Sequence, residues 1–396
     1  MNEFGYDDRI LLVSPQSPFG ETSGSRQRTL LYYDTLSHLA PTDVLVIEQG
    51  SVTDTPLAPQ DASVYTVAST RSGTSLNHYA PDPALTRRAE SLLPQPLSRY
   101  SLIAGRYLWS LCQLDLPRNI PTIVDLDDFS YRFDNGLLRQ PQMLVEFAKR
   151  RLKEWAARQQ LKRFDGLVFV TPRDQKSSEN KYSTVCPNVF PSSALDLTSV
   201  QQAPCAARSL LFVGSMWYGP NRDGIEWFLN KVWPLVSRAV PGARFDIVGA
   251  APPAQRLQWE RMPSVSAPGF VENLNQAYSE CTAVVIPVWY GGGSNIKLLE
   301  ALAQGKPCVA SKFTHQAFKH DLTNGKHLFV AENAHDFAAK CIDILLNKVD
   351  VDPVARFGRT AVTTRYSAAV FSSALTSLIH QVAPGAFSHQ STEALP

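Results

Sequence analysis

Short apolar runs of strand length alternate with helical stretches along almost the whole chain, and this alternation restricts the fold more than any other feature. In the first half the runs are residues 9–14, 44–47, 64–67, 101–104, 121–125 and 166–171, and a further apolar stretch at 185–191 ends that half. Between the strands lie segments with helical spacing, such as Leu30, Leu31, Leu36 and Leu39, or the stretch containing Arg87 and Arg88. Strands that alternate with helices pair in parallel, and the helices cover both faces of the sheet. The loop after the first strand carries Gly20 and Gly24 but no G-x-G-x-x-G, which counts against a dinucleotide-binding enzyme.

Residues 192–208 are rich in Ser, Ala, Pro and Gln with few large apolar groups, which marks a linker and a domain boundary near residue 200. The second half then restarts the pattern. Strands are expected at 209–214, 243–249, 265–269, 283–287, 307–311 and 327–330, and helices at 223–240, 274–280, 334–346 and 353–382. A chain of 396 residues accommodates two domains, predicted at 1–195 and 208–355, followed by a helical segment at 356–382 and a disordered tail at 383–396. Loops at the carboxyl ends of two such sheets would face a common cleft, the arrangement of an enzyme holding one substrate per domain.

Composition excludes more than it selects. A net charge of +2 points to no nucleic acid, and no segment reads as a signal peptide or membrane span, so the expected location is cytoplasmic. Six scattered cysteines without C-x-x-C spacing suggest neither a zinc site nor a disulfide framework. The helix expected at 144–164 carries seven basic residues against Glu146 and Glu154, with Leu144, Ala148, Leu152 and Trp155 along one side. Such a helix is either a solvated face over a core stripe or a peripheral contact with an anionic membrane.

The densest chemistry lies at 283–307, AVVIPVWYGGGSNIKLLEALAQGKP. It reads as a buried strand, a glycine turn, and a short helix capped at Ser294 and stopped by Gly305 and Pro307. Ile296, Leu298, Leu299, Leu302 and Ala303 cover most of that helix, leaving Lys297, Glu300 and Gln304 on a narrow polar arc. Glycines at a helix N-terminus form a candidate phosphate cradle, with Lys297 adding positive charge and Glu300 accepting hydroxyl hydrogen bonds. A flexible turn beside an ordinary i, i+3 ion pair is the alternative on the local pattern alone.

Five motifs in order then carry a resemblance: residues 212–215 (FVGS), 220–224 (PNRDG), 245–249 (FDIVG), 268–271 (PGFV) and 291–307. The second half resembles glycosyltransferase family 4, whose members are retaining enzymes of the GT-B fold: two Rossmann-like α/β/α domains facing each other across a cleft, with the C-terminal helix packing back on the N-terminal domain. The first half is similar in organisation, through the glycine loop and Arg26 and Arg28.

The resemblance implies a nucleotide-diphosphate sugar held by the C-terminal domain, at Gly214, Arg222, Gly269, Phe270, Val271, Gly291, Gly292, Gly293, Ser294, Asn295, Lys297 and Glu300, with Glu300 on the ribose. Gly292 stands where the family often has the first glutamate of E-x7-E, and a subgroup with a GGGS loop shows this replacement. It further implies an acceptor site near Gly20, Gly24, Arg26 and Arg28. Many members of the family have a histidine near the end of an N-terminal-domain strand, but none occurs here between His78 and His315 and residues 125–128 occupy the comparable region, so the resemblance implies that Asp127 or Asp128 contacts the acceptor or donor sugar, unless these acids serve as a cap or structural ion pair. Transfer needs cations and N–H dipoles at the departing diphosphate, a role for Lys297, Arg222 and the glycine loop without cofactor or metal. The expected partners are a nucleotide sugar and a saccharide or lipid-linked acceptor in surface polysaccharide synthesis. A sugar-nucleotide epimerase and a non-catalytic nucleotide-sugar sensor are the alternatives.

Overall fold

The computed structural model describes residues 8–20, 24–50, 62–71, 76–127, 144–176, 181–190, 208–291 and 296–387. The chain divides into two compact units, one made of residues 1–187 and 368–396, the other of residues 188–367.

Unit 1 contains β1 (Ile10–Ser14), α1 (Gly24–Ser37), β2 (Thr42–Gln49), β3 (Val64–Ser69), α2 (Pro83–Leu92), β4 (Leu102–Arg106), α3 (Leu108–Cys112), β5 (Thr122–Asp125), α4 (Leu144–Leu161), β6 (Gly166–Phe169), α5 (Pro172–Gln175) and β7 (Tyr182–Val185). Its sheet has the order β3-β2-β1-β4-β5-β6-β7, and every pairing is parallel. The central strands read as unbroken apolar runs because helices cover both of their faces. The chain leaves β1 toward β2 and later returns beside β1 as β4. The switch point of this sheet therefore lies between β1 and β4.

Unit 2 contains β8 (Ser209–Val213), α6 (Gly219–Lys231), α7 (Trp233–Ala239), β9 (Arg244–Val248), α8 (Pro253–Trp259), β10 (Val265–Gly269), α9 (Leu274–Glu280), β11 (Ala283–Ile286), α10 (Ile296–Ala303), β12 (Cys308–Ser311), α11 (Lys312–Gln316), β13 (Phe329–Ala331), α12 (Ala334–Leu345) and α13 (Asp352–Arg365). The order β10-β9-β8-β11-β12-β13 is again all parallel, with its switch point between β8 and β11. α14 (Ala368–Val382) belongs to unit 1, where Phe371, Leu375, Leu378 and Ile379 are buried. Four such side chains contribute about 1.5–3 kcal/mol each.

Several expectations are corrected. The helix expected from residue 223 begins at Gly219, so Arg222 lies in its first turns, and it breaks at Val232 before Pro234 into α6 and α7. In α4 the buried side chains are Ala157 and Leu161, with Phe164 beyond, whereas Leu152 and Trp155 are 49% and 61% exposed. Residues 157, 161 and 164 keep helical spacing with one another, which turns 155 to the opposite face. Leu144 and Ala148 lie outside the described side chains. The tail expected from residue 383 is packed at Ala383 and Phe387, and residues 388–396 lie outside the description. Among the described residues, no helix is long and apolar enough to cross a membrane.

Candidate functional site

The carboxyl ends of the unit 2 strands are built from glycine. Past the last residues of β8 and β9 the ladder continues: Gly214 N–H donates to Val248 O (2.9 Å), Gly249 N–H to Gly269 O (2.8 Å) and Met216 N–H to Ala250 O (2.8 Å). Gly249 has φ +137°, and a Cβ there would strike the Gly214 carbonyl. The loops after β8, β9 and β10 thereby form one closely packed rim. Asn221 Nδ2 donates to Ser215 O (2.8 Å), closing the loop that leads into α6.

α10 brings Lys297 and Glu300 to this rim. Lys297 lies where a Cβ on Gly214 would come within 3.2 Å of its Cε, so the glycine makes room for the lysine. Its Nζ sits 5.9 Å from the centre of the Phe212 ring. Burial lowers the Lys297 ammonium to about 8, against the opposing pull of Glu300. Burial likewise raises the Glu300 carboxyl to about 7, against the Tyr278 hydroxyl and Lys297. A lysine and a glutamate are thus held on one helix beside a switch point, each close to its ionisation midpoint near neutral pH. Gln304, the third member of the polar arc, is buried and donates to Asn275 Oδ1 (2.7 Å), so it serves packing.

Arg222 is exposed at the start of α6 and pairs with Asp223 at 3.4 Å. Asp223 in turn accepts from Tyr290 Oη (2.5 Å), which ties α6 to the segment before the glycine loop. Gly291 has φ +135°, and a Cβ there would lie 2.8 Å from Tyr218 Oη. Gly292, Gly293, Ser294 and Asn295 lie outside the described residues. Gly269, at φ +91°, reaches the rim through its bond to Gly249, while Phe270 beside it is 73% exposed. The structure therefore gathers Gly214, Arg222, Gly269, Gly291 and Lys297 at the strand ends of one sheet, with Glu300 three residues further along α10, beside Tyr278. Tyr218 and Tyr278 were not singled out in the sequence, while Asp223 and Tyr290 lie within the motif at 220–224 and the stretch at 283–307 quoted above, with no role given to either.

In unit 1 the expected acceptor residues fare differently. Arg28 is 1% exposed: its Nε and Nη2 donate to the two oxygens of Asp125 (3.0 and 2.7 Å), and its Nη1 donates to Cys186 O (2.8 Å). This corrects its placement at an acceptor surface, because the guanidinium is spent on internal partners. Arg106, fully buried, also pairs with Asp125 and reaches Asp127 Oδ2 at 3.3 Å. Burial opposes ionisation of Asp125, but Arg28 and Arg106 hold its carboxyl below the usual carboxylate range. Asp125 is thus the structural ion pair, and Asp127 stands two residues beyond it, just past the end of β5. Gly20 (φ +114°), Gly24 and Arg26 lie in or just after the loop following β1, and Asp128 lies outside the described residues. Tyr107, not singled out in the sequence, has φ 63°, a conformation that costs a bulky residue about 1–3 kcal/mol.

Residues 207–347, which lie within unit 2, match the family profile described as glycosyl transferases group 1. An uncharacterized 44.6 kDa protein in the cps region of Klebsiella pneumoniae is 23% identical over 219 residues. That match covers 53% of this chain and 55% of the relative, so it spans about half the length of that protein. Among solved structures, sucrose-phosphate synthase from Thermosynechococcus elongatus has TM-score 0.65 and 16% identity over 94% of this chain and 98% of its own. A glycosyltransferase from Rickettsia africae gives 0.63 at 12% identity, covering 96% and 99%. HepE from Anabaena, in complex with UDP and glucose, gives 0.61 at 15% identity, covering 94% and 99%. These likenesses show the fold, two parallel-sheet α/β domains of the GT-B class.

Proposed function

We propose that this protein is a glycosyltransferase that moves a sugar from a nucleotide-diphosphate sugar, bound at the carboxyl ends of the unit 2 strands, to a saccharide or lipid-linked acceptor. The observation that supports the reading is Lys297, held by α10 against Gly214 beside the switch point, with Glu300 on the same helix, in a region that matches glycosyl transferases group 1. Lys297 and Arg222 meet the charge that develops on the departing diphosphate, and Glu300 accepts the ribose hydroxyls. These cations serve in place of a divalent metal in this reading. Retention of configuration follows the family resemblance, and the relative's cps region is in keeping with surface polysaccharide synthesis.

Titration of UDP, GDP and ADP into the full-length protein tests the donor site. Affinity for the preferred nucleotide should be greatest between about pH 7 and pH 8. Above 8 the lysine loses the proton that attracts the diphosphate, and below 7 Glu300 gains one and ceases to be a carboxylate acceptor. Absence of binding by all three nucleotides overturns the assignment. Transfer from the matching sugar nucleotide separates an enzyme from a sensor, and isomerised donor without any acceptor identifies an epimerase.

The exposed face of α4 supports a lipid-linked acceptor. Leu152 and Trp155 share that face with exposed Lys162, apolar anchors beside a cation. The full chain should cosediment with phosphatidylglycerol vesicles, and Trp155→Asp should abolish this. Equal partitioning of wild type and variant rules out the contact.

A further inference from the structure

Asn221, in the first turn of α6, is 4% exposed, and its Oδ1 is buried without a hydrogen-bond partner among the described residues. Its Nδ2 donates to Ser215 O (2.8 Å), which settles which end of the amide is nitrogen and fixes where the oxygen lies. A buried acceptor left without a donor is destabilising, so a fold that keeps one has a donor come to meet it.

The start of α6 gives the amide little freedom. Asn221 N–H donates to Tyr218 O (3.0 Å), a Cβ on Gly224 would strike the Pro287 carbonyl, and a Cβ on Gly291 would lie 3.2 Å from Pro220. The helix is thus held against the segments after β8 and β11, and the amide faces Lys297. A Cβ on Gly214 would lie 2.9 Å from Asn221 Nδ2 and 3.2 Å from Lys297 Cε, so the amide and the end of the lysine close on the same point above one glycine. On its flexible stem the ammonium turns toward the amide without any movement of the backbone. Among the described residues, the other charged and titratable groups around Lys297 are Glu300 on its own helix, Tyr278 on α9, whose hydroxyl acts on Glu300, and Arg222 with Asp223 on α6, which pair with each other at 3.4 Å. From β8 the Phe212 ring faces the ammonium at 5.9 Å.

We infer that Asn221 is a positioning residue for Lys297, its Oδ1 accepting a hydrogen bond from the Lys297 ammonium and so keeping that charge at Gly214. An amide oxygen carries no net charge, so it holds the ammonium without neutralising it, as a carboxylate would, and leaves the charge available to an anion. That this anion is the diphosphate of a nucleotide sugar rests on the glycosyltransferase reading; the coupling of the two side chains does not.

The test follows the amine itself in the full chain without nucleotide. The rate at which acetic anhydride labels Lys297, read by mass spectrometry from about pH 6 to about pH 11, tracks its unprotonated fraction. Wild type should show a midpoint at about 8. In Asn221→Ala the acceptor is gone, and the midpoint should fall by about one pH unit, the value of a hydrogen bond to a charged group. If Asn221 served only to close the loop, the same substitution would admit water and the midpoint would rise toward the ordinary lysine value, so the sign of the change separates positioning from structure. Asn221→Asp keeps the size of the side chain and sets an opposite charge against the ammonium, so it should raise the midpoint by about one to three pH units. A rise or no change in Asn221→Ala overturns the inference, as does an unchanged midpoint in Asn221→Asp should the alanine variant not fold. In Asn221→Ala the alkaline limit of nucleotide binding should move down with the midpoint. A midpoint that falls in a chain binding no nucleotide sustains the positioning role while the donor reading fails.

Discussion

Lys297→Ala should lower transfer about 100- to 1,000-fold, the scale of removing one preorganised charge-stabilising group from a reacting site. Its ammonium sits beside Gly214 with its charge already disfavoured by burial, a cost that an incoming diphosphate repays. Nucleotide binding should weaken with transfer, because the diphosphate meets the lysine before and during reaction. Glu300→Ala should cost about 10- to 100-fold, the value of a hydrogen bond to a charged acceptor. Each truncation also removes packed side-chain atoms, so the variants are compared at temperatures where their melting curves show them folded. Near-normal turnover in both folded variants would remove the donor site from α10.

Asp125→Asn should have the larger effect on stability, about 3–5 kcal/mol, the range for breaking a buried ion pair. Asp125 pairs with two buried guanidiniums, of which Arg106 also reaches Asp127, and arginine cannot shed its proton to escape. The folded-state pKa of Asp125 lies below its unfolded value. Its stabilisation is therefore complete at neutral pH and is lost only as pH falls through that depressed value. Denaturation followed by unit 1 tryptophans such as Trp109 should shift to lower denaturant, while nucleotide binding by unit 2 persists below the transition. An unchanged midpoint would show that the ion-pair network contributes little.

The alternation of strands and helices was legible because parallel strands covered on both faces carry unbroken apolar runs, as residues 10–14 and 283–286 do. β7 was missed because its sequence, Tyr-Ser-Thr-Val, is half polar and its residues are only partly buried. The direction of the α4 stripe was left open between the core and a membrane surface because Trp155 and Leu152 satisfy helical spacing as well as Ala157 and Leu161 do, and only packing distinguishes the two faces. Lys297 and Glu300 were readable from a polar arc on an otherwise apolar helix. Arg28 was not, since a basic residue after a strand looks the same in sequence whether it faces solvent or a buried carboxylate. Tyr107 gave no signal, because a positive φ outside glycine leaves no mark in composition.

The return of α14 to unit 1 has a consequence for the order of assembly. During synthesis the last slot of the first sheet, where Thr35 bonds Ser372 (2.7 Å) and Phe371 lies under Arg28 (5.3 Å), stays open until all of unit 2 has been made. Unit 2 is continuous in sequence, whereas unit 1 is completed only by residues that follow it. The buried charge network around Asp125 thus receives its apolar cover only after residues 188–367 have been synthesised.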